Sequence, residues 1–179
     1  WEQMLLLVQK LERDKQLLWS QLIATGCYTG LRIQDLLSLT WEMLLDKQEL
    51  ELTEQKTKKL RRIKLNTNLV ELTSRLFQKR GVEDRTKPIF LSSKRFKPFS
   101  VQYINRKLKK LKYGYGLRLK NFSTHTFRKT FGRHIWQQSN FSEKAITVLS
   151  DIFNHSSTKI TRRYLGINQQ DMDDIYEWL

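Results

Sequence analysis

Apolar positions recur at helical spacing along most of this chain. Residues 2–13 and 16–28 read as helices, with Leu17, Leu18, Leu22 and Ile23 on an inner face. Thr29-Gly30 breaks the second helix, and a third begins at Arg32 and runs to Leu39. The period then changes. Leu50 and Leu52, and after them Ile63 and Leu65, alternate with polar neighbours, as half-buried strands do. Lys56-Thr57-Lys58-Lys59 lies between these runs and reads as a polar turn. The pattern predicts a small three-stranded antiparallel sheet, with one strand near 41–45 and a hairpin of 49–55 and 60–66.

Helical spacing returns over 68–80 and ends at Gly81. Pro88-Ile89-Phe90 reads as a short buried connector. Ser100 caps a helix to about Lys112, followed by the loop Tyr113-Gly114-Tyr115-Gly116. Ser123 or Thr124 caps the next, to about Gln138, in which Phe127, Phe131 and Ile135 make a core stripe at i, i+4, i+8. Ser142 caps a helix to about Phe153, and Ser156 or Ser157 opens a short one that carries Tyr164. Asn168 caps a last helix over 169–179, where Met172, Ile175, Tyr176 and Leu179 form an apolar face. That face needs cover, from its own domain or from a neighbouring protomer. The expected fold class is α+β, mainly α-helical, in one domain spanning 1–179.

Composition narrows the partner. A chain of 179 residues with 39% hydrophobic and 11% aromatic content has enough apolar surface for a core, so disorder is not expected. Lys and Arg number 33 against 18 Asp and Glu, giving a net charge of +15 and a pI near 10.0. A surplus of that size on a small domain points to a polyanion, above all nucleic acid. Cys27 is the only cysteine and lies in an apolar segment, so no internal disulfide forms and a buried small side chain is expected. No apolar run reaches the ~20 residues of a membrane span, so no membrane partner and a cytoplasmic location are expected. No cofactor or metal is expected, since there is no glycine-rich phosphate loop and the three histidines lack metal-ligand spacing. The chain opens inside a helical pattern at Trp1-Glu2-Gln3-Met4, so it is expected to be a fragment of a longer protein.

A set of scattered residues suggests a reaction. Arg32 lies in Thr29-Gly30-Leu31-Arg32-Ile33-Gln34-Asp35-Leu36, at a helix start whose backbone N–H groups already favour an anion. Lys56 begins the hairpin turn. His125 and Arg128, in His125-Thr126-Phe127-Arg128, share a helical face at i, i+3. His155 lies in Asn154-His155-Ser156-Ser157, and Tyr164 follows nine residues later. Guanidinium groups that clamp a phosphate, together with one tyrosine, are what cutting a DNA strand without a metal needs. The phenol has an ordinary pKa of ~10, so its anion needs support, and the departing oxygen needs a proton. Each residue alone has an ordinary reading: a surface arginine, a solvated His and Arg pair, a lysine-rich loop, or a tyrosine set in the core with Ile160 at i, i+4. His134 reads as structural.

Taken in order, these residues resemble the catalytic domain of the tyrosine recombinases, the phage integrase family, from about Leu18 to Gly166. The resemblance implies the DNA breaking-rejoining fold, a helical catalytic domain with a small sheet, and a 3′-phosphotyrosyl intermediate on Tyr164. It implies that Arg32 and Arg128 clamp the phosphate, and that His125 binds an oxygen or handles the nucleophile's proton. It makes His155 the second histidine, preceded by Asn154 where the family often has Gly, and Asp35 a structural partner to a neighbouring side chain. A hairpin lysine in the family enters the minor groove and protonates the leaving oxygen. Lys56 matches it, with Lys58 and Lys59 as competitors. Lys58, Lys59, Arg106, Lys107, Lys109 and Lys110 are expected to line DNA phosphates. The implied partners are double-stranded DNA and further copies of the chain, a tetramer by the resemblance, with a monomer as the alternative for a fragment that lacks an N-terminal core-binding domain. An integrase of a bacterial mobile element is the reading. A type IB topoisomerase, which shares the chemistry, and a non-catalytic DNA-binding module of the same fold are its rivals.

Overall fold

The computed structural model describes residues 1–92 and 98–167. The helix expected over 169–179 and the basic residues at 94–97 lie outside the described residues. Along the described chain run α1 (Glu2–Arg13), α2 (Leu17–Thr29), α3 (Ile33–Leu37), β1 (Glu49–Thr53), β2 (Leu60–Lys64), α4 (Thr67–Lys79), α5 (Val101–Gly114), α6 (Thr124–Gln138), α7 (Glu143–Phe153) and α8 (Thr158–Leu165). The chain forms two compact units, Trp1–Arg128 and Lys129–Leu179.

In the first unit the core is built around α2. This helix buries an unbroken run from Trp19 to Cys27, polar residues included. Two of its buried polar side chains bond to neighbouring helices, which offsets their desolvation. Ser20 Oγ donates to the Val8 carbonyl of α1 at 3.1 Å, and Gln21 Nε2 donates to Thr73 Oγ1 of α4 at 2.9 Å. α1 supplies Met4, Leu7, Val8 and Leu11 at helical spacing, and α4 supplies Leu69, Leu72 and Leu76. Gly26 is where α6 comes in: a Cβ there would sit 2.6 Å from Phe127 Cδ2, so only glycine permits this approach. α2 ends at Gly30 in the left-handed conformation, φ 60°, which turns the chain sharply into α3.

The sheet corrects one expectation. Among the described residues it has two strands, not three: β1 and β2 pair antiparallel in the register Glu49↔Lys64 to Thr53↔Leu60. Residues 41–45 form turns. Trp41, Leu44 and Leu45 are buried at i, i+3, i+4, and the Leu44 and Leu45 N–H groups donate to the Trp41 carbonyl at 3.1 and 2.8 Å. That spacing is helical, and the absence of alternation leaves a strand nothing to bury. What remains of extended pairing there is a single bridge, Thr40 to Pro88, beside the buried connector Ile89-Phe90.

α5 begins where expected, with Ser100 Oγ accepting from the Tyr103 N–H at 3.2 Å. It buries Ile104, Leu108 and Leu111 and leaves Arg106, Lys109 and Lys110 exposed, with Lys107 half-buried. The second unit has a smaller core of Ile146, Leu149, Phe153, Leu165 and Ile167, against which Phe131 and Ile135 of α6 pack. The expected α6 stripe is therefore shared, with Phe127 in the first core and the other two in the second. No described helix is long and apolar enough to cross a membrane.

Candidate active site

In the first unit, the loop from Thr29 to Arg32 collects residues distant in sequence. Arg32 occupies the N-cap of α3 in extended backbone, φ −67° and ψ 149°. Arg128 is buried, 6% exposed, and its Nη1 donates to the Gly30 carbonyl at 2.5 Å across 98 residues of sequence. The guanidinium is thus fastened to the loop that carries Arg32. His125, three residues earlier on α6, is exposed, so the pair does not share the solvated face that i, i+3 spacing alone would suggest. The start of α6 is pinned twice: Thr124 N–H donates to Asn105 Oδ1, and Ser123 N–H to Thr126 Oγ1, both at 3.0 Å.

The hairpin turn is tied to the same loop by two carboxylates. Asp35 is buried and its Oδ1 accepts from the Gln55 N–H at 2.8 Å. It therefore holds a backbone group, not the side chain expected of it. Glu54, which the sequence reading passed over, is 5% exposed. Its Oε2 accepts from Arg32 Nη1 at 2.8 Å and from Thr57 Oγ1 at 2.7 Å, and its Oε1 pairs with Arg61 Nη1 at 3.1 Å. Arg61 Nη2 also reaches the Thr29 carbonyl at 3.5 Å. Burial would raise the Glu54 carboxyl, but hydrogen bonds from Thr57 and Arg61 and the charges of Arg32 and Arg61 outweigh it and hold the group below the usual carboxylate range. A signal for Glu54 was present. Leu50, Leu52 and Glu54 share one parity of β1 and its extension, so the carboxylate had to point inward and find cations. The turn is closed by Lys58 N–H to Glu54 O at 2.9 Å and Glu54 N–H to Lys59 O at 3.0 Å. Lys56, Lys58 and Lys59 are all exposed, and Lys58 takes a left-handed φ of 58°.

In the second unit, α7 ends in a Schellman turn. Asn154 adopts φ 52°, its N–H donates to Asp151 O at 2.9 Å, and the His155 N–H donates to Ser150 O at 3.0 Å. Asparagine thus supplies the left-handed residue that glycine would otherwise provide. The turn delivers His155, whose Nδ1 lies 2.9 Å from Thr161 Oγ1, a fully buried hydroxyl of α8. Thr161 and Leu165 are the inward face of α8, while Ile160 is 42% exposed. Tyr164 is half-buried beside that face and is not a core residue of the Ile160 stripe. Its ring meets those of His155 and Phe153 edge-on, with centroids 5.4 and 5.6 Å away, and Lys129 Nζ stands 5.3 Å from the ring centroid. His134, on α6, is held below the usual histidine range by burial, as suits a structural ring. Among the described residues, no group of three or more His, Cys, Asp or Glu is arranged to hold a metal ion.

The family model described as Phage integrase family matches residues 2–171. This chain belongs to the phage integrase family. Its members are tyrosine-type site-specific recombinases, and the chain is similar over nearly all its length to one curated protein of that kind. The probable integrase/recombinase YoeC of Bacillus subtilis (strain 168) is 33% identical over 176 residues, which is 95% of this chain and 92% of that protein. The fold is that of solved recombinases. The XerA recombinase superposes with a TM-score of 0.73 at 21% identity, covering 99% of this chain and 62% of that one. XerH bound to its palindromic difH substrate after cleavage gives 0.70 at 16% identity, covering 98% of this chain and 51% of that one. A lambda integrase dimer bound to a COC′ core site gives 0.63 at 18% identity, covering 91% and 56%. The chain thus spans between half and two thirds of the length of these solved relatives.

Proposed function

We propose that this chain cuts and rejoins double-stranded DNA at specific sites, as part of DNA integration, through a 3′-phosphotyrosyl intermediate on Tyr164. The observation that carries the reading is the fastening of Arg128 to the Gly30 carbonyl, which brings the second arginine of the set to the loop of the first. In this reading the Tyr164 Oη attacks the phosphorus in line while the bond from phosphorus to the 5′-oxygen breaks. Arg32 and Arg128 bind the non-bridging oxygens, whose charge grows in the transition state. His125 hydrogen-bonds an oxygen. His155, oriented by Thr161 at Nδ1, stands beside the phenol and takes its proton. Lys56 gives a proton to the departing 5′-oxygen, so a neutral 5′-hydroxyl is released. Attack by a 5′-hydroxyl on the phosphotyrosine reverses each step. One phosphodiester is exchanged for another at every stage, so resealing needs no nucleotide hydrolysis.

Lys58, Lys59, Arg106, Lys107, Lys109 and Lys110 supply phosphate contacts that hold the duplex without reading its sequence. Assembly into a tetramer on two duplexes, action in the cytoplasm and service to a bacterial mobile element belong to the same reading. The test is covalent capture. The chain is incubated with nicked duplexes of randomised sequence around the nick, and adducts that survive SDS are mapped by peptide mass. An adduct at Tyr164 that Tyr164→Phe abolishes, with DNA binding retained, is the expected result. An adduct at another tyrosine, or none, overturns the reading.

A further inference from the structure

The Lys56 turn and Arg32 come from different elements, yet one buried carboxylate oxygen touches both. Glu54 Oε2 accepts from Arg32 Nη1 at 2.8 Å and from Thr57 Oγ1, on the residue after Lys56, at 2.7 Å. Its other oxygen pairs with Arg61 of β2, which also contacts the Thr29 carbonyl in the loop before Arg32. Glu54 is 5% exposed, so this carboxylate is not a surface ion pair of little consequence. A buried ionised carboxylate keeps its partners in one geometry, because each lost bond leaves a charge desolvated and unmatched. A guanidinium carries five N–H donors, so an ion pair through Nη1 is compatible with a second anion.

We propose that Glu54 is a positioning residue that couples Arg32 to the Lys56 turn, so that the phosphate-binding cation and the proton donor for the leaving oxygen meet the DNA as one unit. The proposal rests on the roles given above to Arg32 and Lys56. Lys56 is itself exposed on a turn, where a long side chain samples many rotamers. Its neighbours Gln55 and Thr57 are each held by a buried carboxylate, Asp35 and Glu54. The two bonds bracket Lys56 and limit where its Nζ can travel. Without the Glu54 charge, Arg32 and Arg61 lose their shared anchor and the turn loses one of its two ties.

The test is a double-mutant cycle on the rate of adduct formation in a single turnover, with the randomised nicked duplexes as probe. Glu54→Gln keeps the size and can still accept from Thr57, but it removes the charge that holds Arg32. Its adduct rate should fall by roughly 10- to 100-fold, the scale of a misplaced catalytic group. DNA affinity should not fall, because removing a carboxylate makes the chain more positive. Lys56→Ala should lose roughly 10²–10⁴ in rate. The pair Glu54→Gln/Lys56→Ala should be slower than Lys56→Ala by clearly less than the Glu54→Gln factor, since the turn then has no proton donor left to place and only the Arg32 share of the loss remains. Independent, multiplicative losses overturn the coupling and leave the roles of Arg32 and Lys56 standing. Loss of affinity in step with rate for Glu54→Gln also overturns it, in favour of a purely structural carboxylate. An undiminished rate for Lys56→Ala removes the catalytic role on which the proposal stands. If Glu54→Gln does not fold, Thr57→Val cuts the tie at the half-buried turn, and an unchanged rate in that variant sinks the proposal.

Discussion

The two arginines proposed to bind phosphate are held in different ways, and their substitutions should therefore read differently. Arg32 is part-exposed, with 22% of its side chain accessible, and its guanidinium pairs with the Glu54 carboxylate. Arg128 is buried and satisfies a backbone carbonyl. Arg32→Ala should lower the cleavage rate by about 10²–10³, the usual cost of a missing transition-state donor, with only a small loss of stability, because the Glu54 carboxylate keeps Thr57 and Arg61 as partners. Arg128→Ala should lower the rate comparably and also destabilise the fold by about 1–3 kcal/mol, because the Gly30 carbonyl is left buried without its donor. Adduct kinetics beside urea titrations separate the two. Equal stability for both variants would mean that the Arg128 bond to Gly30 carries no weight. The same distinction explains what a sequence can say about such residues. Arg128 could be marked as a candidate from its place after His125, but nothing in the local sequence says that its guanidinium is buried.

At the scale of elements, the placement of α6 depends on one glycine of α2. Arg128 follows Phe127 directly, and the Phe127 ring packs against Gly26 with no room for a methyl group, 2.6 Å from the position a Cβ would take. Gly26→Ala must push Phe127 away, and overpacking of this kind costs about 1–3 kcal/mol. That penalty exceeds the ~1 kcal/mol that alanine gains over glycine in a helix interior. A lowered urea midpoint, together with a cleavage rate reduced more than DNA affinity, is the expected outcome, because Arg128 moves with Phe127. A stabilised variant would show that the ring relaxes freely and that α6 is not seated by this contact. Most elements themselves were readable from pattern. Ser100, Ser142 and Ser157 cap their helices as side-chain acceptors, and Gly30 and Gly166 end theirs in left-handed conformations. The strand expected at 41–45 failed because Trp41, Leu44 and Leu45 are equally apolar in either period, and only their packing chose the helical one.

For the whole molecule, the surplus of 33 basic over 18 acidic residues makes binding to DNA an ionic-strength experiment. Each phosphate neutralised releases condensed counterions, so log K should fall against log salt with a slope of about −0.9 per contact. The exposed cations of α5 and the hairpin turn carry this prediction to particular residues. Replacing Lys109 and Lys110 together by Gln should flatten the slope by about 2 and weaken binding alike on every sequence. An unchanged slope, measured by fluorescence anisotropy on a mixed-sequence duplex, would show that this face of α5 does not meet DNA. Net charge is a property that sequence states in full, and where the charge sits is not. Several cations are already engaged by the protein itself: Arg75 and Lys79 pair with Glu12 at the surface, and Arg80 donates to the Ile89 carbonyl over the Trp41 ring.

The sequence by itself determined the order and type of nearly all the described elements, the basic character, and the ordered set from Arg32 to Tyr164 that resembles the family. These are properties of local periodicity, capping and spacing, which neighbouring residues settle among themselves. Tertiary structure decided which side chains meet. The bond from Arg128 to Gly30 and the anchoring of Arg32 and Arg61 by Glu54 each join residues far apart in the chain. Whether such a charge is solvated or buried depends on what packs above it. Glu54 shows the boundary between the two. Its inward parity was written in the alternation with Leu50 and Leu52, but its partners came from another loop and another strand, and only the folded chain brings them within reach.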